Sequence, residues 1–188
     1  MEKFNAFERD IDFAFWKEIC ESHGKLRHYR RGEYFVHSGE SLKHCGWIQN
    51  GGFKHTLADS EGNLKTVGFV FKNAVLANYS AIMQGHSMAN DIVALEDSDV
   101  MVVSTKLIRE YIEGNPELHL CLVQSLFCQA HRTILNDYYY SPLQRYLQLI
   151  ERFPRILELV SLGEIASYLN ISRRQLHRFR ESQSNRID

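Results

Sequence analysis

Short β-rich runs between Lys25 and Ser104 constrain the fold of this 188-residue chain more than any other feature. Turn-forming residues, such as the segment Asn50-Gly51-Gly52, separate one run from the next. Short strands at a spacing of roughly 8–12 residues are typical of antiparallel sandwiches and barrels. Seven strands are predicted: Leu26–Tyr29, Tyr34–Val36, Cys45–Ile48, Phe53–Leu57, Leu64–Phe71, Ile92–Leu95 and Val100–Val103. We expect an α+β protein whose first domain is an antiparallel jelly-roll-like β-barrel, also called a double-stranded β-helix.

Helical patterns flank this region. Apolar residues at four-residue spacing predict an N-terminal helix over Phe4 to His23 that covers the barrel. A short helix is predicted from Thr105 to Glu113, where Gly114 ends it. The barrel domain is therefore expected to span residues 1–114.

A long helix is predicted next, because Asn115-Pro116 combines an N-cap residue with a proline at the first helical position. Its apolar positions are more numerous than one buried face requires, which indicates that a second face meets a partner. Packing between two domains of one chain would give the same pattern, but we favour a homodimer. The expected dimerisation segment is 115–140, with contacts through Leu120, Val123, Phe127, Ala130 and Ile134.

The C-terminal segment 141–188 carries the strongest local signal. Ser141-Pro142 starts one helix, and the stretch Ser161 to Arg180 has two S-x-x-E/Q capping boxes, each of which marks the start of a helix. Asn170 lies between them and tolerates the left-handed conformation that a tight turn needs. The pattern predicts a helix-turn-helix.

The second of these helices is basic, with no acidic residue before Glu181. Arginine pairs bidentately with guanine or binds phosphate, glutamine reads adenine, and a helix fits the major groove. A solvated basic face on a plain helical hairpin is the alternative. We predict that the helix binds double-stranded DNA through Ser172, Arg173, Arg174, Gln175, His177, Arg178 and Arg180.

Charge and composition limit the kinds of protein that this chain could be. The net charge of −1 means that any affinity for nucleic acid comes from a local patch. The first residues, MEKFNAFERD, contain no apolar signal segment, and no run reaches the ~18 apolar residues of a membrane span. Four scattered cysteines suit reduced thiols. We expect a cytoplasmic protein without a membrane partner.

The order of these parts resembles the Crp/Fnr superfamily of bacterial transcription regulators. The resemblance covers nearly the whole chain; its best local matches are Arg30 to Glu40, Asp59 to Phe69 and the predicted helix-turn-helix. The segment Tyr138 to Pro154 is similar to the inter-domain helix of the Bacteroidetes branch. The resemblance implies a homodimer that reads a palindromic site, a small-molecule effector domain, and RNA polymerase as a further candidate partner. Arg173 and Arg178 match the family's two arginines, whereas Arg174 stands where many members carry glutamate.

At the positions where the family binds its effector, the residues of this chain differ from the family's pattern. Members that bind cyclic nucleotides carry Gly-Glu for the ribose and Arg-Ser for the phosphate, and no arginine lies between Arg31 and Arg109 here. A buried phosphate without a cation is strongly disfavoured, so no cyclic nucleotide or other cofactor is expected. Another effector in the same cavity, or simple packing of the barrel, would use the residues that stand at these positions: Asn78, Tyr79, Ser80, Met88, Ala89 and Asn90.

An enzyme is the least expected class. The nine histidines include no H-x-H pair followed by glutamate, and nucleotide-binding and nucleophile-elbow motifs are absent from the sequence. We therefore assign no catalytic residue and no metal ligand, and elemental analysis would test a barrel-type metalloenzyme. The alternative to a DNA-binding regulator is a ligand-binding β-barrel module whose helical tail makes protein contacts only.

Overall fold

All seven predicted runs form strands, and an eighth strand follows the fifth. The structure, a computed structural model, describes residues 13–184. The strands are β1 (Lys25–Tyr29), β2 (Tyr34–Val36), β3 (His44–Asn50), β4 (Gly52–Ala58), β5 (Leu64–Phe71), β6 (Val75–Leu76), β7 (Asp91–Ala94) and β8 (Ser98–Ser104). The Asn50-Gly51-Gly52 turn needs glycine, because Gly51 has φ of +88° and a Cβ there would lie 2.1 Å from Ser98 Oγ.

Helices precede, interrupt and follow the strands in the described chain. They are α1 (Phe13–His23), α2 (Tyr79–Gln84), α3 (Thr105–Glu113), α4 (Pro116–Tyr139), α5 (Pro142–Arg152), α6 (Ile156–Leu159), α7 (Leu162–Tyr168) and α8 (Arg173–Ser184). The first part of the predicted N-terminal helix, residues 4–12, lies outside the described residues. The second part is helical, and its Trp16 and Ile19 are buried in the core, as expected for a covering helix.

The strands form two antiparallel four-stranded sheets, with the orders β1-β8-β3-β6 and β2-β7-β4-β5. The prediction of a closed barrel is wrong, because the sheets pack face to face as an open sandwich. Strand β6 is the reason: only Val75 and Leu76 pair with β3, opposite Trp47 and Gly46. A two-residue strand at the edge of one sheet is too short to pair with β5, the edge strand of the other sheet, and close the barrel. The edges of β5 and β6 are therefore covered by helices instead of by each other.

The sandwich core lies between the two sheets. Ile48, Phe53, Leu76 and Ile92 are fully buried there, and Ile108 of α3 belongs to the same core. Each such side chain contributes about 1.5–3 kcal/mol by leaving water.

A second apolar cluster stabilises the C-terminal helices. Leu149, Ile156, Ile165, Leu169 and Leu176 are fully or almost fully buried in it. Leu95, Phe69 and Phe71 of the sandwich belong to the same cluster, so the C-terminal helices pack on the outer side of the β4–β5 hairpin.

Candidate nucleic-acid interface and effector cavity

The two capping boxes form as the sequence predicts. Ser161 N donates to Glu164 Oε2 at 2.8 Å and Glu164 N donates to Ser161 Oγ at 3.2 Å. Ser172 N donates to Gln175 Oε1 at 2.9 Å and Gln175 N donates to Ser172 Oγ at 3.2 Å. Asn170 has φ of +53°, the left-handed conformation expected of it. Helices α7 and α8 are thereby joined by a tight turn, with Leu176 of α8 fully buried against α7 and its neighbours.

Helix α8 turns its polar residues to solvent. The seven residues predicted to bind DNA are all exposed: Ser172, Arg173, Arg174, Gln175, His177, Arg178 and Arg180. Within residues 13–184, Arg174, His177 and Arg178 make no hydrogen bond or ion pair. Because they are three and four residues apart, they share one face of the helix. This face is free to contact a ligand.

The other predicted DNA contacts already have partners in the chain. The guanidinium of Arg173 lies over Gly163 of α7, where a Cβ would come within 2.5 Å of Arg173 Nη2. Arg180 hydrogen-bonds the Tyr146 hydroxyl of α5; burial raises the pKa of Tyr146 and the arginine opposes that shift. The amide oxygen of Gln175 is held in the capping box. A bidentate contact of Gln175 with adenine would therefore open that box.

Helix α7 is attached to the outer side of the β4–β5 hairpin by polar contacts. Lys54 Nζ lies 2.5 Å from Glu164 Oε1, and Thr66 N of edge strand β5 donates to Ser167 Oγ at 2.9 Å. Burial would raise the pKa of Glu164, but the hydrogen bonds from Lys54 and Ser161 outweigh it and lower the pKa. The sandwich and the α7–α8 pair are thus in direct contact.

Helix α4 leaves an apolar stripe uncovered. Leu120 is 59% exposed, Phe127 71% and Ile134 58%, and Val123 and Ala130 are exposed between them. These five predicted dimer contacts follow each other at alternating three- and four-residue steps, the spacing of a coiled-coil seam. They therefore lie on one side of the helix, opposite the side that meets the sandwich.

The inner side of α4 closes a cavity of about 460 Å³. Its helix residues are Leu122, Leu126, Gln129, Thr133 and Asp137. Its other walls are the end strands β5 and β6, the helices α1 to α3, and the C-terminal helices. They contribute mainly apolar and aromatic residues: Trp16, Val67, Phe69, Val70, Phe71, Val75, Ile82, Ile112, Phe153 and Tyr168. The cavity thus occupies the open side of the sandwich.

The polar part of the cavity lining consists of His55 and a few charged residues. Burial lowers the pKa of His55 to about 4, so the ring is neutral at pH 7. Its Nδ1 lies 3.1 Å from Asn90 Nδ2, which can only donate; the proton of the ring is therefore on Nε2. Lys72 and Arg152 line the cavity as well, with Asp137, whose carboxylate binds Arg145 Nη1 at 2.7 Å.

The six predicted effector residues are only partly brought together. Tyr79 lines the cavity, and its hydroxyl lies 2.6 Å from His119 Nε2 of α4. Asn90 is behind His55, Asn78 caps α2 by accepting from Ala81 N, and Ser80 Oγ donates to Asn78. Met88 is buried and Ala89 is exposed, both away from the cavity wall. The assignment of these six residues to an effector pocket stays a prediction.

Most of the cavity-lining residues were missed by the sequence analysis. The run LKTVGFVF of β5 held a signal, because Val67, Phe69 and Phe71 alternate with Val70 so that both faces of the strand are apolar from Val67 onward. An edge strand with two apolar faces must be covered on both. The contribution of Arg152, Phe153 and Tyr168 depends on how the C-terminal helices fold back, which periodicity does not specify.

Residues 13–184 contain no group of three or more His, Cys, Asp or Glu side chains placed to hold a metal ion. Cys20 and Cys45 are buried, and burial raises both thiol pKa values, that of Cys20 to about 12. Cys121 and Cys128 are exposed on α4. Among the described residues, none of the helices is long and apolar enough to cross a membrane.

Comparison with known proteins finds one matching family and several proteins of similar structure. Residues 26–115 match the cyclic nucleotide-binding domain family. FixK2 from Bradyrhizobium japonicum is similar in structure, with a TM-score of 0.70 and 14% identity over 87% of this chain and 85% of that one. The c-di-GMP-responsive global regulator CLP from Xanthomonas campestris has a TM-score of 0.65 and 11% identity over 93% of each chain.

A separate sensor domain is also similar in structure. The sensor domain of the transcriptional regulator DNR from Pseudomonas aeruginosa has a TM-score of 0.53 and 21% identity over 69% of this chain and 85% of that one. No curated protein matches the sequence significantly. The similarity to FixK2 and CLP extends beyond the sandwich to most of the helical part.

Proposed function

We propose that this chain is a sequence-specific DNA-binding regulator, because residues 26–115 match the cyclic nucleotide-binding domain family and the chain has the fold of Crp/Fnr-type transcriptional regulators. The observation that carries the proposal is the exposed face of α8, which presents Arg174, His177 and Arg178 from a helix that Leu176 and two capping boxes hold in place. The regulatory proteins that share the fold make an enzymatic role the least supported class.

Helices α7 and α8 act as a helix-turn-helix in this proposal. The recognition helix α8 enters the major groove, where arginine pairs with guanine O6 and N7 or binds phosphate. Arg174 and Arg178 are the first contacts, since neither has another partner within residues 13–184. Arg173 and Arg180 contact DNA only after they release Gly163 and Tyr146. Otherwise they keep these contacts and stabilise the position of the helix.

A homodimer supplies the second recognition helix. The uncovered stripe of α4, built around Leu120, Phe127 and Ile134, pairs with the same stripe of a second copy. Burying it removes exposed leucine, phenylalanine and isoleucine side chains from water, each with a gain on the order of 1 kcal/mol or more. Two copies of α8 then read a palindrome with half-sites about 34 Å apart.

The regulating molecule is a small effector other than a cyclic nucleotide. The nearest arginine after Arg31 is Arg109, and its Nε donates to the carbonyl of Ile82 at 2.5 Å. Arg109 is therefore held by the backbone, and Arg152, the arginine that lines the cavity, comes from α5 and not from the sandwich, where the nucleotide-binding relatives carry theirs. The effector acts by shifting the population between arrangements of the sandwich, α4 and the C-terminal helices.

Selection from a random duplex library at physiological salt tests the proposal. Wild type is compared with Arg174→Ala/Arg178→Ala, and with Arg30→Ala/Arg31→Ala as a control that removes two exposed arginines from the sandwich. We expect wild type and the control to enrich one palindrome and the α8 variant to lose it. The selection is also run with small-molecule cell extract. Failure to enrich under both conditions would favour a ligand-binding module whose helices contact protein only.

A further inference from the structure

We propose that Arg174 and Arg178 each read one guanine in the major groove, and that Arg173 and Gln175 read no base. Every half-site of the operator would then contain two guanines with about one base pair between them. The inference rests on the proposed function and deepens it, because it separates the side chains of α8 that determine base preference from those that hold the helix in place.

The buried anchor of α8 fixes the direction of the other side chains on the helix. Leu176 is fully buried in the apolar cluster of the C-terminal helices. Because successive residues of an α-helix are about 100° apart around its axis, Arg174 and Arg178 lie about 160° from Leu176, one on each side. Of all the residues in α8, these two therefore point most directly away from the rest of the chain.

Both arginines are also free to bind. They are exposed, and neither makes a hydrogen bond or an ion pair within residues 13–184. They are the second and sixth residues of a 12-residue helix, in the N-terminal half that contacts base edges in helix-turn-helix proteins. Neither has to give up an internal contact to reach DNA.

The chemistry and spacing of this pair select the bases. A guanidinium donates to O6 and N7 of one guanine, which no other base accepts in the same way. Residues four apart in a helix are about 6 Å apart along its axis, and successive base pairs are about 3.4 Å apart. The two contacts thus fall about two base-pair steps apart. A guanidinium in the groove also places its charge near the phosphates, so each arginine contributes to the salt dependence of binding.

Arg173 is held closer to the buried side of α8. It lies about 60° from Leu176 around the helix axis. A Cβ at Gly163 would lie 2.5 Å from Arg173 Nη2, 2.7 Å from Nε and 2.8 Å from Cζ, so the guanidinium packs flat on the backbone of α7. The glycine makes room for this contact. Arg173 therefore serves as a positioning residue between the two helices.

Gln175 is occupied as well. Its Oε1 accepts from Ser172 N at 2.9 Å and from Ser172 Oγ at 3.0 Å. A bidentate contact with adenine would need the same amide oxygen, which accepts from N6 of the base. The start of α8 would then lose its capping box. Gln175 therefore maintains the helix start and reads no adenine.

The test replaces each arginine by glutamine, which pairs with N6 and N7 of adenine. The whole chain, as wild type, Arg174→Gln and Arg178→Gln, is taken through selection from a random duplex library at physiological salt. We expect Arg174→Gln to change one guanine of each half-site to adenine and Arg178→Gln to change the other. Each variant should bind the wild-type duplex about tenfold to a hundredfold more weakly, and the duplex with the matching adenine should restore binding.

Two variants of the same helix serve as controls. Arg173→Gln removes the same charge as the test variants, yet it should leave both guanines in place because that side chain contacts Gly163. Gln175→Glu keeps an acceptor for Ser172 N, so the capping box survives and the base preference should stay unchanged. Circular dichroism checks that each variant keeps its helices.

Three results would overturn this inference alone. One is an enriched half-site without two guanines at this spacing. Another is an Arg174→Gln variant that binds all duplexes more weakly with unchanged preference, which is the behaviour of a phosphate contact. The third is a change of base preference in Arg173→Gln. A wild type that enriches no duplex, with or without cell extract, would instead overturn the proposed function and this inference together, so the two failures are distinct.

Discussion

His55 lies between one of the predicted effector residues and the observed cavity. Asn90, which the sequence placed in the pocket, holds the Nδ1 atom of His55, and His55 itself lines the cavity. Burial favours the neutral ring and lowers its pKa to about 4 from an ordinary value of 6.5. The charged form is thus disfavoured in the folded protein and not in the unfolded chain.

The pH dependence of stability follows from this difference. Between pH 6.5 and 4 the unfolded chain binds a proton at His55 that the folded protein does not, so stability falls as the pH falls through this window. The contribution is fully present above pH 6.5, and its loss approaches about 3 kcal/mol at the acid end. We predict that urea unfolding at a series of pH values shows a shallower acid loss for His55→Gln than for wild type.

A control separates this effect from the other titrating groups. His86→Gln removes an exposed histidine and should retain the full wild-type acid loss. Burial also lowers the pKa of His44, so the difference between His55→Gln and wild type, and not the acid loss of wild type alone, measures the contribution of His55. Parallel stability curves for wild type and His55→Gln would show that His55 is not held neutral by burial.

Individual residues were predictable where a local backbone requirement selects them. Asn170 and the pair Ser161–Glu164 adopt the conformation and hydrogen bonds expected from sequence, because both features involve residues within one turn of each other. Asn115 is a residue for which prediction from a local motif failed. It was expected to cap α4, yet its side chain makes no cap hydrogen bond and Nδ2 donates to Tyr111 O at 2.7 Å instead. The preceding helix offers a free carbonyl within reach, and that competition is not visible in a cap motif.

Among the elements, long periodic segments were predicted well and short ones were not. Helix α3 has the predicted bounds, and α4 lies within the predicted segment 115–140. Strand β6 was missed because two residues carry no periodicity. Helix α2 was missed although Asn78 and Gly85 mark its ends; Asn78 accepts from Ala81 N and Gly85 adopts φ of +70°.

The apolar stripe of helix α4 leads to a testable prediction about the oligomeric state. Phe127 is the most exposed of the four large apolar residues in the stripe, and in the proposed dimer it lies at the middle of the seam. We predict that Phe127→Glu converts a dimer to a monomer, because a carboxylate would be buried against an apolar partner. Sedimentation equilibrium measures the result.

The matched variant for that experiment is Leu26→Glu. Leu26 is 60% exposed on β1 and lies away from α4, so the substitution adds the same charge and should leave the dimer intact. A wild-type protein that sediments as a monomer at micromolar concentration would contradict the interpretation of the stripe. So would a Phe127→Glu variant that stays dimeric.

The whole molecule differs from its predicted form in one consequential way. A closed barrel would bury any ligand inside the sandwich, whereas the open sandwich leaves a gap between β5 and β6 that α4 and the C-terminal helices close. Closure of a sheet depends on the length and position of its end strands, and β6 was invisible in the pattern. The order of a β-sheet region followed by helices was predictable, because the change from short β runs to helical periodicity occurs once, near Ser104.

The dependence of DNA affinity on salt tests the central claim most directly. If α8 of each protomer binds phosphates and bases, the logarithm of the association constant for the selected duplex falls linearly with the logarithm of salt concentration, with a slope of about −0.9 per neutralised phosphate. We predict a steep slope for wild type and Arg30→Ala/Arg31→Ala. The slope should become shallower by about one for each phosphate that the Arg174→Ala/Arg178→Ala dimer no longer neutralises. A slope near zero, or one that this variant leaves unchanged, would contradict the assignment of α8 as the DNA-reading helix.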